Sequence, residues 1–106
     1  MSYPDHLIEY WDQNGITPPV EKVVCAANRL EDGTILAGAR HWDEVMRQQA
    51  ERITGTRKHN AEQGFINQWG VFLTRKEALV VVKTSGQHFD PKRNGSTTLL
   101  FSEGLY

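Results

Sequence analysis

Arg40 and His41 stand just ahead of an acidic pair, Asp43 and Glu44, that opens a stretch with helical apolar spacing. Arg75 and Lys76 lie between Thr74 and Glu77, where a second helix should begin. Cations in a helix's first turn oppose its dipole, at a cost of a few tenths up to about 1 kcal/mol. Their recurrence at two helix starts is therefore informative. A helix N-terminus flanked by basic side chains is a ready anion site. Lys92 and Arg93, in a loop that also holds Pro91 and Gly95, offer a further phosphate clamp. Each of these six residues alone reads as solvated surface; the group is what points to an anion.

Aromatic and amide side chains sit beside the cations. Trp42 falls at helical spacing and reads as core. Trp69 falls at the tip of a predicted hairpin, where it suits an interface or a base stack. Phe65 is either core, the favoured reading, or a stacking platform. Asn67 and Gln68 carry amides able to read a base edge, and are equally ordinary turn residues. Together these residues point to a pocket for a small ligand that bears phosphate and a flat ring.

Other chemistries fit poorly. His6, His41, His59 and His88 show no metal-ligand spacing and there is one cysteine, so no metal site is expected. Cys25 lies between apolar residues and reads as a small hydrophobe. Ser96 and Ser102 lie outside any nucleophile motif. No phosphate-loop or dinucleotide fingerprint is present, and no cofactor is expected. A binding protein, not an enzyme, is the first reading. One alternative is an enzyme that opens cyclic nucleotides with His41 as acid or base. The other is a protein–protein inhibitor using Trp69 and the apolar tail.

The elements that must position these groups follow from periodicity and turn chemistry. Residues 5–13 suit a short amphipathic helix in an arm spanning 1–19, closed by Asn14-Gly15 and Pro18-Pro19. Lys22–Leu30 and Thr34–Gly38 read as strands around the turn Glu31-Asp32-Gly33. A helix over His41–Ile53 would bury Trp42, Val45, Met46, Ala50 and Ile53, with Gly55 as its stop. Thr56–Gln63 reads as a polar loop. Residues 64–66 and 71–73 form a second hairpin around Asn67–Gly70. Thr74 and Glu77 match a capping box for a helix running to Ser85, with Ala78, Leu79 and Val82 inward and Gly86 ending it. Asp90–Thr98 reads as a loop and Leu99–Phe101 as a last strand. The fold class is α+β: antiparallel hairpins with two helices, in one domain over 20–106, with a weak echo of hairpin then helix.

Composition bounds the partners. The chain has 106 residues, 39% hydrophobic and 24% charged, which is globular composition. A net charge of −1 gives no general pull toward duplex nucleic acid. The apolar runs are too short to span a bilayer. One thiol and no signal peptide place the chain in a reducing cytoplasm.

Three segments, in order, carry a resemblance. They are Cys25–Asn28 through Asp32–Asp43; Gln63–Ala78 (QGFINQWGVFLTRKEA); and Leu100–Tyr106 (LFSEGLY). They resemble a family of small phage and prophage proteins that includes the anti-Thoeris sponges. The match covers about residues 22–106 and leaves out the arm. Thoeris is a bacterial defence in which a TIR-domain enzyme makes a cyclised ADP-ribose signal. The resemblance implies a non-catalytic sponge that binds cyclic ADP-ribose isomers, or cyclic oligonucleotides of the CBASS defence, between protomers of a homo-oligomer in the host bacterial cytoplasm. It implies that Arg40 binds phosphate, Phe65 stacks on adenine, and Arg75 approaches phosphate or ribose. It implies that Lys92 or Arg93 stands for a basic residue after the second helix. Gly104 stands where an acidic residue is expected, which argues against a tail contact of that kind.

Overall fold

The computed structural model describes residues 3–55 and 60–106; Thr56 to His59, part of the expected polar loop, lie outside them. The elements are α1 (Asp5–Gln13), β1 (Val23–Leu30), β2 (Ile35–Gly38), α2 (Glu44–Thr54), β3 (Ala61–Asn67), β4 (Phe72–Thr74), α3 (Arg75–Ser85) and α4 (Pro91–Asn94), followed by a 3-10 turn at Ser102–Gly104. The four strands form one antiparallel sheet in the order β2-β1-β3-β4. The chain is a single small α+β domain, as its sequence predicts.

The echo of hairpin then helix is real. Each hairpin sends its first strand to the middle of the sheet and its second to an edge, and a helix follows. Gly33 closes the first turn at φ 91° and Gly70 the second at φ 75°. Such angles suit glycine because it lacks a Cβ. Ala26 pairs with Phe65, and Phe65 with Leu73, so these three share one sheet face. Met46 and Ala50 of α2, and Ala78, Leu79, Val81 and Val82 of α3, close the core with them. Leu100 and Leu105 of the tail complete it.

Four expectations need correction. The helix expected over His41–Ile53 is α2, which begins at Glu44 because the Asp43 carboxylate caps it by accepting from Met46 N at 2.9 Å. Only Met46 and Ala50 of its expected stripe are buried; Val45 and Ile53 are 54% and 58% exposed, on the outer side. Residues 61–63 are strand, since the central strand β1 has partners for them in Leu30, Arg29 and Asn28. Leu99–Phe101 forms no strand, and part of the expected loop before it is the short helix α4. Leu100 is nonetheless buried, held by its N–H donating to Arg75 O at 3.0 Å.

The capping box at Thr74 and Glu77 forms as expected, and Gly86 ends α3 in the left-handed region. The arm is docked. Trp11 is buried, Tyr3 donates to Pro19 O at 2.9 Å, and Gln68 exchanges hydrogen bonds with Lys22 N and Val20 O.

Gly64 sits at the tightest point of the sheet. A Cβ there would lie 2.3 Å from Leu73 O and 2.4 Å from the Phe72 ring, which the β3–β4 pairing fixes. Gly64→Ala is therefore expected to destabilise the protein by about 1–3 kcal/mol through overpacking. Gly86→Asn, which faces only a positive φ, should cost much less. Urea midpoints of the two variants check this; equal midpoints would contradict the packing argument.

Candidate functional site

The starts of α2 and α3 lie close together, and the C-terminal tail runs across them. His41, on the turn before α2, reaches the first residue of α3. Its Nε2 lies 2.6 Å from Gly64 O and its Nδ1 lies 3.5 Å from Arg75 Nη2. Because a carbonyl only accepts, Nε2 carries the proton and Nδ1 faces the guanidinium as an acceptor. The ring meets Phe65 edge to face at 5.1 Å between centroids.

Arg75 donates from Nη1 to Leu100 O at 2.8 Å and from Nη2 to Gln63 Oε1 at 2.6 Å, and lies 4.5 Å from the centre of the Phe101 ring. Arg40 donates from Nη1 to Ser102 O at 3.1 Å and from Nη2 to Tyr106 O, with the Tyr106 ring 4.9 Å away. Each guanidinium has five N–H donors, so these bonds leave donors over. Among the described residues, neither is in an ion pair with a side-chain carboxylate; the ion pair found there is Arg29 with Glu62. Two half-buried cations thus stand without a side-chain carboxylate in contact, though Glu103 acts on Arg75 from farther off, and each lies beside an aromatic ring. That arrangement can take an anion, and a guanidinium fork suits a phosphate.

The family relationship follows from the same stretch of chain. The profile of the phage T4 y16D protein family matches residues 22–106. The chain belongs to the phage T4 y16D protein family. No curated protein and no solved structure matches it. The matched span holds the whole sheet and the Arg40–His41–Arg75 group; the arm lies outside it.

The sequence-predicted site residues of this y16D-family chain fall into three places. Arg40, His41 and Arg75 come together. Phe65 joins them, but it is 0% exposed, so its ring belongs to the core and presents no face to a ligand. Asn67 and Trp69 lie at the β3–β4 turn. Asn67 is buried, where its Oδ1 accepts from Trp69 N and Val71 N at 3.0 Å and its Nδ2 donates to Glu21. Its amide orders the turn instead of reading a base. Trp69 packs against Tyr3 and Trp11, with centroids 4.8 and 5.7 Å away, so the arm covers the ring that was expected at an interface or under a base. Lys92 and Arg93 are exposed on α4, whose N-cap Asp90 accepts from their backbone N–H groups. The hydrogen bonds that hold Arg40 and Arg75 run to other residues.

Two features of the site were not anticipated. Asp43 caps the α2 N-terminus, as the expected box of Thr74 with Glu77 caps that of α3, so the charge of any anion site comes from guanidinium groups more than from amide dipoles. The site also includes Gln63, Phe101 and Tyr106. Gln63 was assigned to a loop, and the two aromatics to a strand and an end, so neither periodicity nor motif brought them to Arg75 and Arg40. Gly104 is buried and a Cβ there would come within 2.8 Å of Asn94, so the position has no room for an acidic side chain. Among the described residues no cluster of His, Cys, Asp and Glu could hold a metal, and no helix is long and apolar enough to cross a membrane.

His41 has a lowered pKa. Burial is the largest cause and Arg75 adds to it, while the bond to Gly64 O and the nearby Glu103 and Asp43 oppose it. The folded value lies below the ordinary 6.5. As pH falls through 6.5 the unfolded chain binds the proton first, so stability falls with pH until the folded ring also protonates. Above 6.5 this contribution is constant. A histidine-resolved NMR titration should give a midpoint below 6.5 for His41. The urea midpoint should drop between pH 7.5 and pH 5.5 by less in His41→Gln than in the parent; an equal drop would assign the effect elsewhere.

Proposed function

We propose that this phage protein is an anti-defence sponge that binds cyclic ADP-ribose-type signals, or cyclic oligonucleotides, and withholds them without cleavage. The observation that carries the reading is the pair of half-buried guanidinium groups, Arg40 and Arg75, with no side-chain carboxylate in ion-pairing distance among the described residues. Such ligands carry a pyrophosphate or several phosphates together with purine rings. Arginine forks suit the first. For the second, the rings beside the arginines are Phe101 and Tyr106, and base stacking on such rings contributes about 1–3 kcal/mol per base. These two take over the stacking role assigned by resemblance to Phe65.

A sponge must outcompete a receptor, which requires nanomolar affinity, about −12 kcal/mol. Two charge-assisted arginine contacts at about 1.5–3 kcal/mol each fall short of that. Enclosure of the ligand between two copies of the chain supplies the remainder, so the reading includes a homo-oligomer in the host bacterial cytoplasm. The competing protein–protein reading has lost one of its grounds, since Trp69 lies against the arm.

The test is retention followed by release. The protein is incubated with cyclic ADP-ribose isomers and cyclic di- and trinucleotides, filtered, and heated. Intact ligand should be retained and then released. Linear product exceeding one equivalent per protomer would mean an enzyme, and no retention of any of these ligands would end the proposal. Arg40→Lys and Arg75→Lys keep the charge and lose the fork; each should weaken binding by about 10–100-fold, measured by calorimetry. Both arginines also hold the tail, so unchanged melting temperatures must accompany the loss.

A further inference from the structure

A cavity lies between the N-terminal segment and α3, lined by none of the residues of the arginine group. Its volume is about 600 Å³, within the usual range of small-molecule sites, about 300–1,000 Å³. Tyr3, Val20 and Glu21 line it from the arm side, and Glu77, Val80 and Thr84 from α3. Val20 and Val80 are 55% and 58% exposed, so two large aliphatic groups face solvent across one groove.

The charge of this groove has one sign. None of the residues lining it is basic. Glu21 is 8% exposed, and one of its oxygens accepts from the neutral Asn67 amide at 2.9 Å. Glu77 accepts from Thr74 N at 2.9 Å within the capping box. Among the described residues neither carboxylate has a cation within ion-pairing distance. Buried carboxylates are ordinarily paired with a cation. An apolar cleft with one deeply placed, uncompensated carboxylate and a second at its side is complementary to an apolar body that ends in an ammonium group.

We propose that the groove between the arm and α3 is a binding site for a small amphiphilic amine, with Glu21 receiving the ammonium group and Val20 and Val80 the apolar body. The site shares no residue with the arginine group and takes the opposite charge. Tyr3, Val20 and Glu21 also precede the span matched by the y16D family, so the segment ahead of that span gives this chain a second specificity.

The test uses the full chain, labelled for amide NMR, titrated with tryptamine and separately with indole-3-propionate. These probes share a ring system and differ in the sign of the charge. Tryptamine should give saturable shifts at Val20, Glu21, Val80 and Thr84, and indole-3-propionate should not. Glu21→Gln, whose amide oxygen can still accept from Asn67, should weaken tryptamine by about tenfold. Val80→Trp, on an exposed helix position, should block binding by filling the groove while the rest of the spectrum is preserved. Equal response to the two probes, shifts centred on Arg75 instead, no saturable shift at millimolar tryptamine, or unchanged affinity in both variants would each overturn the proposal.

Discussion

The C-terminal tail is what makes one site out of two helix starts. Without it, the two hairpin-and-helix units would meet at their helix starts through His41 alone, which touches Gly64 and Arg75. Leu100 and Arg75 exchange hydrogen bonds in both directions, N–H to carbonyl and guanidinium to carbonyl. Arg40 reaches the next turns at Ser102 and Tyr106. The tail thus gives the two arginines main-chain oxygens, not side-chain carboxylates. A neutral carbonyl such as Leu100 O or Ser102 O fixes a guanidinium in place and leaves its charge uncancelled, which is the condition for holding an anion. Leu100 and Leu105, sunk into the core, keep the strap from peeling away.

Much of the scaffold was legible because its signals are local. Thr74 with Glu77, Gly33, Gly55 and Gly86 each specify a turn or cap within four or five residues, and each is found where expected. The α2 start was missed because Asp43 is as good an N-cap as it is a first-turn residue, and capping prevailed. The 61–63 stretch was missed because its strand character comes from pairing with β1, a tertiary cause that outweighs its polar composition. Leu99–Phe101 has the composition of a strand, but its hydrogen bonds go to α3 and to Asn94 instead of to a neighbouring strand.

The site was legible only in part, for the same reason. Arg40, His41 and Arg75 announced themselves by type and by position at helix starts. Phe65 was correctly placed beside them, but spacing does not say whether a ring is a wall or a floor; the β1–β3–β4 register makes it floor. Trp69 was expected to face outward because its own hairpin offers no cover. Its cover is Trp11, 58 positions earlier in the chain, and nothing in a single sequence links the two.

The sheet's edges carry a different consequence. The long strands β1 and β3, of eight and seven residues, are interior, while the edges are β2 and β4, of four and three. Edge strands that short offer few unpaired backbone groups on which another chain can template itself. Burying the long strands and leaving stubs at the margins thus guards the fold against edge-to-edge aggregation at high concentration.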